Sequence, residues 1–427
     1  MKIVHRVSSY VILFVITCVA LVMLLVATAK IPKTAIRENM LKSAELLEEN
    51  NVFFNLTPKV RASKIDRYAD SILLNIAYNY DSEHPLKSVL WSKYYSGIDY
   101  SENTYLRLTL SDNPEPNTQY LRYWHGSNVL VRPLHTILSL KQIYILFGIM
   151  ILLLFGVLTY LLIKSGQYVT AVAVTVGMAA TSVWYVPYSL EYVWMYLLML
   201  ITSIVVVVVA NRKQYSRMGY VFLVAGMLTS YFDFLTSETL SLTVPMLIGI
   251  RILFSQEKDD EGKPYKKAAT WAILWIAGYV GMWVMKWMIS SIALGENVLH
   301  YVVEHIKERT VGDMYSNVFL FYAESIWRNI TCLFPLAYGI PGKILLAILI
   351  VATTYIIFVY RKKNVDKKRI WMFAVIGLIP IIRYIVLGNH SILHSTFTYR
   401  ALFATVMSLI FIIYEVIDIT IMRRKRI

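Results

Sequence analysis

The sequence predicts an all-α polytopic membrane protein whose chain crosses the lipid bilayer about ten times. Hydrophobic residues make up 57% of the 427 residues and charged residues only 16%, an apolar excess that a soluble chain of this length does not show. The mean hydropathy is +0.54. The apolar residues also gather in blocks of about 17–23, the helix length that spans a hydrocarbon core of about 30 Å. Strands of an outer-membrane barrel would instead alternate polar and apolar residues.

The predicted crossings begin near the N-terminus and recur along the chain. They lie at 8–29, 143–163, 168–186, 191–210, 218–233, 239–254, 268–289, 344–360, 370–386 and 401–421. The first block is preceded by "MKIVHR" and followed by "ATA", as in a signal peptide, but its apolar core of about 20 residues is longer than a signal peptide needs. We therefore expect an uncleaved transmembrane anchor at 1–29.

Two long segments separate these crossings. The first, 30–142, directly follows the anchor, and the second, 290–343, lies within the multi-helix core at 143–427. Inside the second segment, 317–339 is long enough to cross the membrane, but counting it as a crossing would move the basic stretch 361–369 to the other face. An interfacial or re-entrant helix is therefore predicted at this position.

Lysine and arginine are distributed unevenly between the two faces of this topology. One face carries the basic residues Lys2, Arg6, Lys164, Arg212, Lys213 and Arg217, those of 251–267 and 360–369, and the final "RRKRI". The short loops on the other face, 187–190, 234–238 and 387–399, contain neither residue. Because short cytoplasmic loops retain basic residues, both termini are expected in the cytoplasm and both long segments outside it.

The net charge of +15 follows from this topology, so membrane lipid rather than nucleic acid is the expected partner of the basic residues. The cytoplasmic loops are too short to form a nucleotide-binding domain, and they contain no glycine-rich phosphate loop. These absences argue against chemistry on ATP or a nucleotide sugar inside the cell.

Acidic residues in the first long segment are candidates for catalysis. The stretch "RENMLKSAELLEEN" is predicted to form an amphipathic interfacial helix. In the following "IDRYADSILLNIAYNYD", Asp66 and Asp70 are one helical turn apart and are followed by an apolar stripe. A carboxylate near an apolar surface can be tuned for general-base work. The alternative is that both acids lie on the solvated side of an amphipathic helix.

Aromatic and basic residues cluster further along, in "YLRYWHGSNVLVRPL". Arg122, Trp124 and His125 offer a cation, a stacking surface and a hydrogen-bonding ring, which suit phosphates and sugars. For Trp124 alone, anchoring at the membrane interface is the simpler explanation.

Two acids interrupt the apolar run from 220 to 254. Asp233 and Glu238 lie in "SYFDFLTSETLSL", where the chain must turn at the outer face. They can cap the turn through Thr236 or Ser237, or converge on a cation or on sugar hydroxyls. We predict that Asp233 shares a cavity with Asp70, His390 and Arg400.

The remaining candidates lie at the same outer level. His390, His394 and Arg400 occupy the short stretch "GNHSILHSTFTYR". The two histidines are four residues apart, but no HExxH motif accompanies them, so binding of phosphate or sugar hydroxyls is favoured over zinc. Lys286 and Arg383 lie near the outer ends of their helices, where they either serve function or extend toward the headgroups.

This layout resembles the GT-C type of bacterial membrane glycosyltransferase. The stretches "DRYADSILLNIAY", "RYWHGSNVLVRPL", "YFDFLTSETLSL" and "GNHSILHSTFTYR" are similar to stretches in uncharacterised bacterial membrane proteins assigned to that superfamily. The resemblance implies a cell-membrane enzyme that takes a sugar from a polyprenyl phosphate and transfers it to a glycan or lipid acceptor outside the cytoplasm. A carboxylate of the first outer loop, Asp70 or Asp66, is then the expected base.

The residues themselves suggest the same chemistry. We expect Asp70, with Asp66 next, to accept the acceptor's proton, and Asp233 and Glu238 to bind sugar hydroxyls, support the base or hold a divalent cation. The predicted phosphate ligands are Lys286, Arg383, Arg400 and Arg122. No other cofactor is expected.

Two alternatives remain open at this point. An O-antigen or capsule polymerase also combines many helices with a lipid-linked substrate, but its large outer loop typically comes later in the chain. A lipid-linked-glycan flippase or transporter would concentrate polar residues at the middle of its helices, whereas these helix centres carry almost no charge.

Overall fold

The computed structural model describes residues 2–256, 263–300, 302 and 317–418. Within these ranges the chain is predominantly helical, in the order α1 Lys2–Ala29, α2 Lys33–Glu48, β1 Phe53–Asn55, β2 Lys64–Asp66, α3 Arg67–Tyr78, α4 Pro85–Trp91, α5 Glu102–Asp112, α6 Asn128–Leu134, α7 Leu140–Lys164, α8 Tyr168–Ala180, α9 Leu190–Asn211, α10 Met218–Phe232, α11 Leu240–Gln256, α12 Lys263–Leu294, α13 Val318–Ile330, α14 Gly339–Tyr360, α15 Lys367–Val386, α16 Gly388–Leu393, α17 Ser395–Thr398 and α18 Phe403–Val416. Short 3₁₀ turns occupy Arg61–Ser63, Val183–Tyr188, Tyr215–Arg217, Leu336–Tyr338 and Tyr399–Leu402.

Seven of the described helical segments are long and apolar enough to cross a membrane. They are His5–Ala29, Leu140–Lys164, Leu190–Asn211, Pro264–Leu294, Leu336–Tyr360, Lys367–Val386 and Ser395–Val416. This finding supports a helical, membrane-embedded protein. Each of the ten predicted apolar blocks overlaps a described helix, and residues 419–421 of the last block lie outside the described residues. The other three helices, α8, α10 and α11, have 13, 15 and 17 residues. Ten full-length crossings are therefore not established.

The C-terminal end of α8 explains why this helix is shorter than the predicted crossing. Hydropathy predicted a crossing over 168–186, but the regular helix stops at Ala180. Ser182 takes a left-handed conformation, and a 3₁₀ turn containing Pro187 follows. At about 1.5 Å per residue, the 13-residue helix α8 is about 20 Å long, whereas the hydrocarbon core is about 30 Å thick.

The segment between α1 and α7 folds into a helical layer with one small sheet. β1 and β2 pair antiparallel, with Phe53 opposite Asp66 and Asn55 opposite Lys64. This hairpin was not predicted. It places the end of β2 at the start of α3, so Asp66 becomes the N-cap residue of that helix.

Helix α2 packs against protein rather than lying free at the interface. Its stripe Ile36, Met40, Ala44 and Leu47 is fully buried, and the helix contacts α3, α5 and α7. The amphipathic pattern was therefore interpreted correctly as helical, but the apolar face is buried within the protein.

Helix α13 does not have the length of a crossing. It covers 13 residues and ends at Ile330, well before α14 begins. Phe321 and Ser325 are buried against the protein, while Phe319 is 86% exposed and Trp327 59% exposed. This short amphipathic helix agrees with an interfacial or re-entrant segment and not with a transmembrane one.

Candidate functional site

A cavity of about 350 Å³ lies where the helical layer between α1 and α7 meets the helices that follow it, a size typical of the smaller ligand sites. Parts of the chain that are distant in sequence contribute its wall. The lining residues are Asp66, Tyr68, Ala69, Ile72, Leu73, Tyr94, Thr118, Gln119, Tyr120, Arg122, Tyr123, His125, Glu191, Phe234, His390, His394 and Phe397.

The cavity contains some of the residues expected from the sequence but not others. Asp66, Arg122, His125, His390 and His394 line it together. The other candidates do not line the cavity: Asp70, Trp124, Asp233, Glu238, Lys286, Arg383 and Arg400.

Asp70 lies behind the cavity and caps a helix. Its carboxylate accepts hydrogen bonds from the backbone N–H of Leu190 at 2.9 and 3.1 Å, from the hydroxyl of Ser189 at 3.2 Å and from the hydroxyl of Tyr144. Asp70 is fully buried, and this burial raises its pKa to about 7. Since its oxygens are engaged at the N-terminus of α9, we reassign the proposed base from Asp70 to Asp66.

Asp66 is paired with an acid that the sequence analysis missed. Asp66 and Glu191 both line the cavity, and each influences the titration of the other. Burial raises the pKa of Asp66 to about 6, against the lowering effect of the Ala69 N–H and of Lys64. Glu191 has one signal in the sequence, since it is an isolated acid in the first turn of an otherwise apolar helix.

Ser189 determines how these acids are placed. Its hydroxyl lies 3.2 Å from the backbone oxygen of Asp66 and 3.2 Å from the Asp70 carboxylate. The start of α9 is thereby fixed against the start of α3. Asp66 and Glu191, which are far apart in sequence, meet because of this contact.

Aromatic rings form one wall of the cavity. The ring of Tyr123 lies 5.5 Å from that of Tyr120 and 5.3 Å from that of Phe234. The Arg122 guanidinium lies 4.5 Å from the Tyr120 ring centre and donates to the Tyr120 hydroxyl at 3.2 Å. A guanidinium that stacks on aromatic rings keeps this contact while its N–H groups bind an anionic group.

His125 adds a hydrogen-bond acceptor. Its Nε2 lies 3.0 Å from the carbonyl oxygen of Tyr120, so Nε2 carries the proton and Nδ1 is the acceptor. Nδ1 is buried and has no hydrogen-bond partner among the described residues. Burial lowers the pKa of His125 to about 3, so the ring is neutral. Its backbone φ of 52° is unusual for a residue other than glycine.

The turn after α10 is held by hydrogen bonds on both sides. Asp233 Oδ1 accepts from the backbone N–H of Thr236 at 3.1 Å and from its hydroxyl, which is the predicted capping role. Asp233 is 4% exposed, so it does not face lipid or bulk water. Its expected cavity with Asp70, His390 and Arg400 is not formed, because only His390 of these residues reaches the cavity.

Glu238 and Arg383 form a buried ion pair at 2.9 Å beside this turn. Arg383 also donates to the backbone oxygen of Leu235 at 2.6 Å and to the Ser391 hydroxyl at 2.9 Å. The nitrogen that donates to Leu235 also lies 3.4 Å from His390 Nδ1. Arg383 therefore orients cavity residues from behind and does not itself line the wall.

The rings of His390 and His394 have their centres 4.6 Å apart and are tilted by 42° relative to each other. Among the residues that the structure describes, no group of three or more His, Cys, Asp or Glu side chains is arranged to hold a metal ion. Both rings line the cavity.

Three predicted ligands lie elsewhere. Lys286 donates to the backbone oxygen of Leu90 at 2.8 Å at the end of α4, and Trp124 donates to that of Met282 at 2.9 Å. Trp124 is 1% exposed, so it is a core residue and not an interface anchor. Arg400 lies 4.1 Å from the ring centre of Tyr192. These contacts give Lys286 and Trp124 a structural role, and they place Arg400 against an aromatic ring.

Comparison of the chain with protein-family models, with curated proteins and with solved structures finds no match.

Proposed function

We propose that this protein is a membrane glycosyltransferase of the GT-C type, which moves a sugar from a polyprenyl-phosphate donor to a cell-envelope glycan or lipid-linked acceptor on the extracytoplasmic face. The observation that carries the proposal is the shared cavity of Asp66 and Arg122, with a wall of aromatic rings. A carboxylate, a cation and stacking surfaces are the groups that glycosyl transfer from a phosphate requires.

The reaction assigns a separate role to each group. The acceptor hydroxyl attacks the anomeric carbon of the sugar while Asp66 takes its proton. The bond between the anomeric carbon and the phosphate oxygen breaks, and the lipid phosphate leaves with the electron pair. Arg122 faces the same cavity and stabilises the negative charge of the leaving phosphate.

Sugar recognition is assigned to the aromatic wall. The faces of Tyr120, Tyr123 and Phe234 pack against the apolar face of the sugar ring. Nδ1 of His125 accepts a hydrogen bond from a sugar hydroxyl, since it is a buried acceptor without a partner in the described part of the chain. A site that hydrogen-bonds a hydroxyl in this way discriminates strongly against sugars that lack it.

The position of the buried charges supports an enzyme over a flippase or transporter. Two of the buried ion pairs in the described residues are Arg383–Glu238 at 2.9 Å and Arg251–Glu415 at 3.6 Å. Both pairs involve residues near helix ends. A carrier is expected to place such groups along a path through the helix centres. A polymerase would share the chemistry proposed here and differ in its acceptor.

The proposal is tested by comparing cell-envelope glycans of a deletion strain and its parent by mass spectrometry. We expect a sugar unit to be missing from the deletion strain and restored by the wild-type gene. Asp66→Asn should fail to restore it at normal protein levels. The matched control is Asp81→Asn, an exposed acid of the same outer layer, which should restore it fully. Unchanged glycans in the deletion strain would refute the proposed function.

A further inference from the structure

We infer that a cleft along α4 binds a phosphate group that also carries a hydroxyl, such as hydrogen phosphate or the phosphoglycerol headgroup of a lipid. This α4 cleft has a volume of about 250 Å³. Among the described residues it shares no lining residue with the cavity that contains Asp66, so it is a second site, independent of the proposed sugar transfer. The lining side chains that recognise the ligand are those of Asn79, Lys87, Ser88, Trp91 and Lys93.

Helix α4 lies at the end of a candidate membrane span. It packs against α1 and α12, and its Val89 is buried in one cluster with Leu25 and Ala29. Ala29 is the last residue of α1. On the α12 side, the backbone oxygen of Leu90 accepts a hydrogen bond from Lys286 at 2.8 Å. Helix α4 is therefore found where α1 leaves the hydrocarbon core, which is the level of the lipid headgroups and their phosphates.

The cleft follows one side of α4. Lys87, Ser88 and Trp91 are three or four residues apart, so they share one face of the helix. Val89 and Leu90 are buried on the other side. The helix therefore uses its apolar side for packing and presents its polar side to the cleft.

The cleft contains hydrogen-bond donors that lack an acceptor. Trp91 Nε1 is buried and has no hydrogen-bond partner in the part of the chain that the structure describes. Lys93 Nζ lies 4.1 Å from the centre of the Trp91 ring, and neither Lys87 nor Lys93 forms an ion pair with a described carboxylate. The Ser88 hydroxyl accepts the backbone N–H of Asp81 at 2.7 Å, which leaves its own hydrogen for a ligand. This set of donors, two of them charged, favours an anion.

The acid that lines the cleft is engaged by other groups. Asp81 Oδ2 lies 3.1 Å from His84 Nδ1, and Asp81 Oδ1 accepts the backbone N–H of Glu83 at 2.8 Å. Asp81 therefore does not neutralise Lys87 or Lys93. A phosphate supplies both the negative charge and the several acceptor oxygens that these donors require.

One acceptor in the cleft requires a hydroxyl on the ligand. Asn75 Oδ1 accepts the backbone N–H of Tyr95 at 3.2 Å and also accepts from Asn79 Nδ2 at 2.7 Å, which identifies the two atoms of the Asn79 amide. Asn79 Oδ1 is buried and has no hydrogen-bond partner among the described residues. Because this oxygen only accepts, the bound group must donate to it. Hydrogen phosphate and phosphoglycerol have such a hydroxyl, whereas chloride does not.

Phosphate binding to purified protein in an uncharged detergent tests the site. Isothermal titration calorimetry is performed with inorganic phosphate and with glycerol 1-phosphate at constant ionic strength. Trp91→Phe keeps an aromatic ring but removes the N–H, and Lys93→Gln removes one charge. We expect each variant to weaken binding of both probes by about tenfold or more, the usual effect of one hydrogen bond to a charged group. The matched control is Lys141→Gln, an exposed lysine in the first turn of α7, which should leave the dissociation constant unchanged.

A lipid experiment identifies the source of the phosphate. Wild-type protein and Lys93→Gln are placed in phosphatidylcholine nanodiscs with and without phosphatidylglycerol, which adds a net negative charge and free hydroxyls. A rise in melting temperature with phosphatidylglycerol that is larger for the wild type than for Lys93→Gln assigns the cleft to a lipid headgroup. Without that rise, binding of the soluble probes that Lys93→Gln weakens assigns it to a free phosphate compound. The site is refuted if neither the soluble probes nor phosphatidylglycerol distinguish the wild type from Lys93→Gln, or if Lys141→Gln weakens binding as much as Lys93→Gln does.

Discussion

The carboxylate of Glu238 accepts two hydrogen bonds from the guanidinium of Arg383, at 2.9 and 3.3 Å. The two residues are 145 positions apart, and their side chains are only 7% and 5% exposed. The pair joins the turn after α10 to the C-terminal end of α15, and Arg383 also donates to Leu235 and Ser391. The cavity wall on this side therefore depends on one buried ion pair.

Breaking this pair should destabilise the protein. Glu238→Gln leaves the Arg383 charge buried without its partner, which typically costs about 3–5 kcal/mol. Thermal unfolding in detergent measures the change. The control is Glu38→Gln, which removes the exposed pair with Lys42 at 2.7 Å and should cause no measurable change, since such pairs contribute little. Equal effects of both variants would contradict the structural role given to Arg383.

Asp70→Asn tests the assignment of Asp70 as a helix cap. The amide keeps one acceptor oxygen but replaces the other with an NH2 group, which cannot accept hydrogen bonds from the Leu190, Ser189 and Tyr144 donors. We expect unfolding to be easier by about 1–3 kcal/mol. Activity should persist below the melting temperature, whereas Asp66→Asn should be inactive while folded. An Asp70→Asn protein of wild-type stability and no activity would return the base to Asp70.

Stability should fall as pH rises through the neutral range. Burial raises the pKa of Asp66 to about 6 and that of Asp70 to about 7, above the unfolded value of about 3.9. Between about pH 4 and pH 7 the folded state thus binds more protons than the unfolded chain, so the free energy of unfolding decreases with pH. We expect a higher melting temperature at pH 5 than at pH 8, and a smaller difference in Asp66→Asn. A melting temperature that increases over this range would refute the assignment.

The contact between α10 and α12 depends on small residues. A methyl group at Gly226 would lie 2.0 Å from the carbonyl oxygen of Trp275, and one at Gly278 would lie 2.2 Å from that of Leu223. Gly226→Ala should therefore force the helices apart and cost about 1–3 kcal/mol. Gly156→Ala on α7, which meets nothing within 4 Å, is the control and should be neutral or slightly stabilising. Chemical or thermal unfolding of both variants decides between these expectations.

The proposed orientation of the chain is tested by cysteine labelling. Ile98 is 98% exposed and Asn364 is exposed, whereas the native Cys18 and Cys332 are both buried. Ser237 is unsuitable because it is only 2% exposed. We expect a membrane-impermeant maleimide to label Ile98→Cys in intact spheroplasts and Asn364→Cys only after permeabilisation. Labelling of position 364 from outside would invert the topology and remove the site from the extracytoplasmic face.

Part of the site was predicted because its charged and polar residues lie in the stretches between the apolar blocks. Acids, histidines and arginines are conspicuous where apolar blocks end, and Asp66, Arg122, His125, His390 and His394 do meet in one cavity. Glu191 was missed because a single acid in the first turn of an apolar helix resembles an ordinary helix end. The two strands at 53–55 and 64–66 were missed because three residues are too few for a recognisable alternation.

The sequence by itself determined that the chain is helical and membrane-embedded, and roughly where its apolar helices lie, because the thickness of the bilayer and the composition of each block fix these properties locally. Only the tertiary structure decided which acid faces the cavity. Asp66 and Asp70 share a helical turn, yet one lines the cavity and the other caps α9, because the start of α9 covers one of them and not the other. Spacing along a helix fixes the direction of a side chain, but contacts between distant segments determine what that side chain meets.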